Sequence, residues 1–202
     1  MSKNRAIVAL LGGMLALVLA AGVAWAATVQ CQVGALVCEG TPNADTITGT
    51  SGKDFIRGFA GADLAKGMGE ADIVQGGKGK DTVKGLGGPD TLVFGGESGP
   101  NGFTGPFTDA SDDYAYGGDG ADYLLGGYAQ GGVDHVYGED GNDNIHTYQR
   151  GLANDLGMKV TKEIVNCGAG QDTVAFDKDK DEVAQNCEIK YPVGPGGVGA
   201  PD

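Results

Sequence analysis

Six aspartates fall nine residues apart, at Asp45, Asp54, Asp63, Asp72, Asp81 and Asp90. Each stands five places after a glycine and two places before an aliphatic residue. The spacing returns at Asp113, Asp122, Asp134 and Asp143, with a three-residue insertion between Asp122 and Asp134. If two nine-residue units make one coil, alternate aspartates share an edge. Asp45, Asp63 and Asp81 then line one side, and Asp54, Asp72 and Asp90 the other. Carboxylates stacked about 5 Å apart repel by about 3 kcal/mol per pair at an effective dielectric of 20. Tight glycine turns aim backbone carbonyls into the same gap. Carboxylate plus carbonyl oxygen is a hard ligand set that suits Ca2+ better than transition metals, and better than Mg2+ with its tighter octahedron.

The elements that must position these groups follow from the same period. A nine-residue repeat means a small unit stacked on itself, so the fold is a solenoid. The residue two after each acid is Ile47, Ile56, Ala65, Val74, Val83, Leu92, Ala115, Leu124, Val136 or Ile145. Aliphatic, mostly β-branched residues there suit a three-residue strand with that side chain turned inward. Glycines at the first and fourth places suit turns with close backbone approach. The expected fold is all-β: a parallel β-roll of nine-residue half-coils, with strands about 4.8 Å apart and Ca2+ between turns. A degenerate unit with Glu163 in the aspartate slot and Val165 two places on extends the pattern, and Asp172 and Asp181 continue it at nine.

Two repeats carry the full pattern, Gly76-Gly77-Lys78-Gly79-Lys80-Asp81-Thr82-Val83-Lys84 and Gly117-Gly118-Asp119-Gly120-Ala121-Asp122-Tyr123-Leu124-Leu125. Residues 49–57, 58–66 and 138–146 match except at the second glycine. In these residues the chain resembles the hemolysin-type calcium-binding repeats, the RTX nonapeptides. The resemblance implies several Ca2+ ions held between successive turns, with carboxylates from Asp45, Asp54, Asp63, Asp72, Asp81, Asp90, Asp113, Asp122, Asp134 and Asp143. Asp45 opens the array with no earlier turn to share an ion, and Asp113 does the same if the preceding loop breaks the stack.

The repeats divide the chain. Residues 1–26 read as a secretory signal, with Lys3 and Arg5, an apolar stretch from Ala6 to Gly22, and a small-residue ending at Ala24-Trp25-Ala26. The rival reading is an uncleaved membrane anchor. Residues 27–39 form an N-terminal cap, and 40–190 the roll, with Gly/Pro-rich excursions near 95–110 and 147–157. Residues 191–202 are expected to be a disordered tail. Loss of the signal takes the basic count from 14 to 12 against 27 acidic residues, a net charge of −15. Such a balance argues against nucleic acid and for cations as partners. Four cysteines in an exported chain imply two disulfides. Cys31 with Cys38 and Cys167 with Cys187 would bracket the two ends of the array. Cys167 sits in a first-place glycine slot, and Cys187 lies one coil plus two residues further on. No C-x-x-C is present to suggest zinc.

Catalysis has little to stand on. His135 and His146 occupy outward strand places, and no H-E-x-x-H or G-x-S-x-G motif occurs. The expected function is therefore a secreted, non-enzymatic calcium-binding roll, extracellular, its oligomeric state left open. The competing function is surface adhesion to an extracellular protein or polysaccharide. It would use the aromatic residues gathered over 103–148: Phe103, Phe107, Tyr114, Tyr116, Tyr123, Tyr128, Tyr137 and Tyr148.

Overall fold

A computed structural model of the chain describes residues 26–35, 37–94, 110–126, 132–147 and 160–193. Residues 1–25 of the signal segment, both excursions apart from their end residues Ala110 and Thr147, and residues 194–202 lie outside the described residues. So do Phe103, Phe107, Tyr128 and Tyr148. Among the described residues no helix is long and apolar enough to cross a membrane.

Short aliphatic segments between glycine turns cannot form wide antiparallel hairpins, and here they stack in parallel. One sheet holds β1 (Ala27–Gln30), β3 (Asp45–Thr48), β5 (Leu64–Lys66), β7 (Thr82–Gly87), β9 (Tyr114–Gly120), β11 (Val133–Gly141), β13 (Lys162–Asn166) and β15 (Glu182–Val183), in that order. The other runs from β2 (Cys38–Glu39) through β4 (Phe55–Ala60), β6 (Ile73–Lys78), β8 (Thr91–Val93), β10 (Tyr123–Leu125), β12 (Asn144–His146) and β14 (Thr173–Asp177) to β16 (Ile189–Val193). Odd strands face even strands across a thin slab, so two nine-residue units make each coil of the β-roll.

The core is one inward column per sheet. Ile47, Ala65, Val83, Ala115, Val136 and Val165 pair in register in the odd sheet, and Ile56, Val74, Leu92, Leu124, Ile145 and Val174 in the even one. All are buried, at 0–1% exposure. A column this thin leaves much of the roll's stability to its turns and edges. Disulfides join Cys31 to Cys38 and Cys167 to Cys187, the expected pairing, and all four sulfurs belong to the core cluster. Each staple closes an end of the column, where an open strand edge would otherwise be exposed.

Three expectations need correction, and the condition attached to Asp113 is resolved. Strands run to as many as nine residues in β11, because the turn backbone keeps pairing in parallel after the aliphatic centre has passed. The stack is not broken before Asp113. Thr82 in β7 pairs directly with Tyr114 in β9, so the described strands on either side of the insert keep one register. The N-terminal cap is itself part of the roll, since β1 pairs with β3 from Ala27↔Asp45 to Gln30↔Thr48. Finally, Tyr191–Val193 belong to strand β16 rather than to a tail.

Candidate metal sites along the two edges

Each coil reverses twice, and each reversal ends on an acidic residue that immediately precedes a strand or lies within its first two residues. This puts all ten predicted aspartates on two ladders. Asp45, Asp63, Asp81, Asp113 and Asp134 climb one edge, followed by Glu163 and Asp181. Asp54, Asp72, Asp90, Asp122 and Asp143 climb the other, followed by Asp172. The predicted sharing of edges holds, and it persists across all the inserts.

The rungs are tied by a repeated bond. The backbone N–H of each rung donates to Oδ1 of the rung one coil further on: Asp45 to Asp63 at 2.7 Å, Asp63 to Asp81 at 2.9 Å, Asp81 to Asp113 at 2.7 Å and Asp113 to Asp134 at 2.9 Å. On the opposite edge the distances run from 2.7 to 2.9 Å between Asp54 and Asp172. These bonds fix one carboxylate oxygen of each rung. The second oxygen, Oδ2, of Asp63, Asp72, Asp90, Asp122, Asp143 and Asp172 is buried with no hydrogen-bond partner. Six buried carboxylate oxygens left unsatisfied in one array are costly, and such atoms call for an ion or a donor.

The turn backbone supplies the rest of a ligand set. A Cβ placed on Gly58 would stand 2.5 Å from Asp63 Oδ2 and 2.2 Å from the carbonyl oxygen of Gly76 on the next coil. At Gly85 the corresponding distances are 2.2 Å to Asp90 Oδ2 and 2.4 Å to Gly117 O. Carboxylate and carbonyl oxygens thus converge on a space that only glycine leaves clear. The second-place residues strain to the same end. Phe59, Met68, Leu86 and Glu139 adopt φ of 82°, 103°, 86° and 74°, and Glu70 at a fourth place adopts 67°. Each such residue costs on the order of 1–2 kcal/mol against an ordinary conformation, which is why glycine was expected there. Among the described residues no three His, Cys, Asp or Glu side chains converge on one point. An ion here would draw mainly on carbonyls with a carboxylate from the ladder, an arrangement that suits Ca2+.

Electrostatics point the same way. Burial pushes the carboxyls of Asp63, Asp72 and Asp143 up to about 6 and that of Asp90 to about 7. The ladder N–H bonds oppose the rise, and neighbouring acids add to it. Asp122 and Asp172 are raised for the same first reason. Glu163 is pushed to about 10 by burial, then by its hydrogen bond to Asp181. It is the degraded rung the spacing predicts.

Asp172 is a rung beyond the ten aspartates expected as ligands. Cys167 in place of the first glycine masked its turn, although the nine-residue spacing from Glu163 was visible. Asp45 and Asp54 differ from the interior rungs, because their Oδ2 atoms accept hydrogen bonds from Thr41 and Thr50 of their own turns. His135 stacks on Tyr114 with centroids 4.7 Å apart, and His146 tilts against Tyr123 at 5.2 Å. Tyr116 stacks on Tyr137 at 4.9 Å, with the Lys84 ammonium 4.5 Å from the Tyr116 centroid. These rings pack coil against coil on the outer faces.

A family model described as the RTX calcium-binding nonapeptide repeat matches the chain in four copies, at residues 39–67, 66–98, 107–127 and 128–148. The matched segments cover half of the 202 residues and span most of both ladders. Comparison with curated proteins found no match.

Proposed function

Because the chain belongs to the RTX calcium-binding nonapeptide repeat family, whose repeats bind Ca2+, we propose that it is an exported, non-enzymatic β-roll that calcium holds together along both edges. The observation that carries this reading is the row of buried, unpartnered Oδ2 atoms facing next-coil carbonyls. Without a cation those groups oppose folding, and with one they become its ligands. Extracellular modules bind calcium with dissociation constants of about 0.1–1 mM. At ten times its dissociation constant, calcium adds about 1.4 kcal/mol per occupied site, so several weak sites together decide whether the roll forms. Export is supported by the basic start, the apolar stretch and the Ala24-Trp25-Ala26 ending, and by two disulfides of the kind an oxidising compartment maintains.

The test is circular dichroism of the chain from residue 27 in chelator, followed by calcium and then, separately, magnesium. Calcium should raise β content and thermal stability where magnesium does not. Equal spectra and melting in chelator and in calcium would sink the proposal.

Of the aromatic residues the adhesion reading would use, Tyr114 stacks on His135 and Tyr116 on Tyr137. Those rings already lie face to face, within 2–6° of parallel, so their π-faces are largely spent on each other. The stacks therefore support a packing role, and the calcium reading stands ahead.

A further inference from the structure

The second carboxylate oxygen divides the rungs into two kinds. In the interior of the array, Oδ2 of Asp63, Asp72, Asp90 and Asp143 has no hydrogen-bond partner, and the residue four positions earlier has positive φ. That conformation turns the second-place N–H away from its own carboxylate. The N–H of Met68, for example, donates to Gly85 O at 3.0 Å on the next coil.

At the ends the turn closes on itself. The N–H of Thr41 donates to Asp45 Oδ2, and that of Thr50 to Asp54 Oδ2, where the Thr50 hydroxyl adds a second bond at 3.0 Å. At the far end the N–H of Asp177 donates to Asp181 Oδ2 at 2.7 Å, joined by the Thr147 hydroxyl at 3.0 Å. Among the described non-glycine residues positive φ falls on Phe59, Met68, Glu70, Leu86 and Glu139, so none of these three turns has it. The same second-place N–H thus either caps the carboxylate or leaves it open, according to one backbone angle.

An amide proton and a cation compete for the same lone pairs. We propose that Thr41, Thr50 and Asp177 close the end rungs against calcium, so that the ions are confined to the rungs from Asp63 onward on one edge and from Asp72 to Asp172 on the other. This rests on the calcium reading above. Asp45, Asp54 and Asp181 then are hydrogen-bonded rungs that need no metal, and the roll has metal-free end rungs outside a calcium-dependent middle that reaches Asp172. Thr50 is the residue that sets the boundary on its edge. Changing it to glycine would complete, in the turn of Gly49, Gly52 and Asp54, the pattern seen at Gly76–Lys84.

Calcium stoichiometry by calorimetry on the chain from residue 27 tests this. Asp72→Asn should lower the number of ions bound, Asp54→Asn should leave it unchanged, and Thr50→Gly should raise it by one. Asp45→Asn on the opposite edge gives the same reading if Asp54→Asn does not fold. A loss of calcium in Asp54→Asn or Asp45→Asn equal to that in Asp72→Asn overturns the proposal, as does an unchanged count in Thr50→Gly. A parent chain that binds no calcium fails the calcium reading itself, which separates the two failures.

Discussion

Replacing Asp90 by asparagine should have opposite effects with and without calcium. Asp90 is 2% exposed, its Oδ1 accepts the Asp72 N–H at 2.8 Å, and its Oδ2 has no hydrogen-bond partner. Burial, with the charges of Asp122 and Asp72 adding to it, pushes its carboxyl from 3.8 to about 7. A carboxyl raised in the folded state contributes stability that is full below pH 4 and is lost as pH rises through about 7. At pH 8 the whole shift corresponds to about 4 kcal/mol, at 1.36 kcal/mol per unit. The edge of the slab lies beside water, and screening there leaves about 1–2 kcal/mol. Asparagine keeps the Oδ1 acceptor and carries no charge. In calcium-free buffer at pH 8 the variant should therefore be more stable than the parent by about 1–2 kcal/mol, and at pH 4 the gain should vanish. In saturating calcium the sign should reverse, because a neutral amide is a poorer ligand than a carboxylate. Urea denaturation followed by circular dichroism reads all three conditions. A variant that is destabilised in calcium-free buffer equally at pH 4 and pH 8 would refute the reasoning.

Other consequences follow from the same geometry. The calcium-free parent should lose stability between about pH 4 and 7, as Asp63, Asp72 and Asp143 ionise near 6 and Asp90 near 7; an acid-to-neutral melting series checks the sign. Gly58→Ala should cost about 1–3 kcal/mol, since its Cβ meets Gly76 O at 2.2 Å and Asp63 Oδ2 at 2.5 Å. Gly87→Ala, whose nearest neighbour is Met68 O at 3.5 Å, should change stability by less than about 1 kcal/mol in the same denaturation assay. Converting Cys167 and Cys187 together to serine opens a staple spanning 20 residues and should cost about 3 kcal/mol, with hydrogen exchange accelerating first in β14 and β16.

The repeat made most of the fold legible. A fixed nine-residue spacing determines which side chains point inward, so the columns from Ile47 to Val165 and from Ile56 to Val174 are readable in the sequence. The pairing of Cys167 with Cys187 was readable for the same reason. Continuity across the inserts was harder, because inserted residues change the count while the strands on either side keep their register. The bond from Asp81 to Asp113 crosses 32 residues as readily as others cross 18. Strand length was hidden too, since turn backbone that pairs in parallel carries no aliphatic signature. The difference between Asp54 and Asp72 was the least visible. Thr50 and Met68 both stand where glycine was expected, and only φ separates a capped carboxylate from an open one.

The central claim is that the edge carboxylates are calcium ligands whose charge the fold tolerates only with the ion present. Titrating calcium into the calcium-free chain at pH 6, in two buffers of different ionisation heat, counts bound ions and released protons together. The account predicts more than one ion, bound with proton release, because Asp63, Asp72, Asp90 and Asp143 are partly protonated at that pH before the ion arrives. Calcium binding without proton release, or no calcium heat at millimolar concentration, would contradict it.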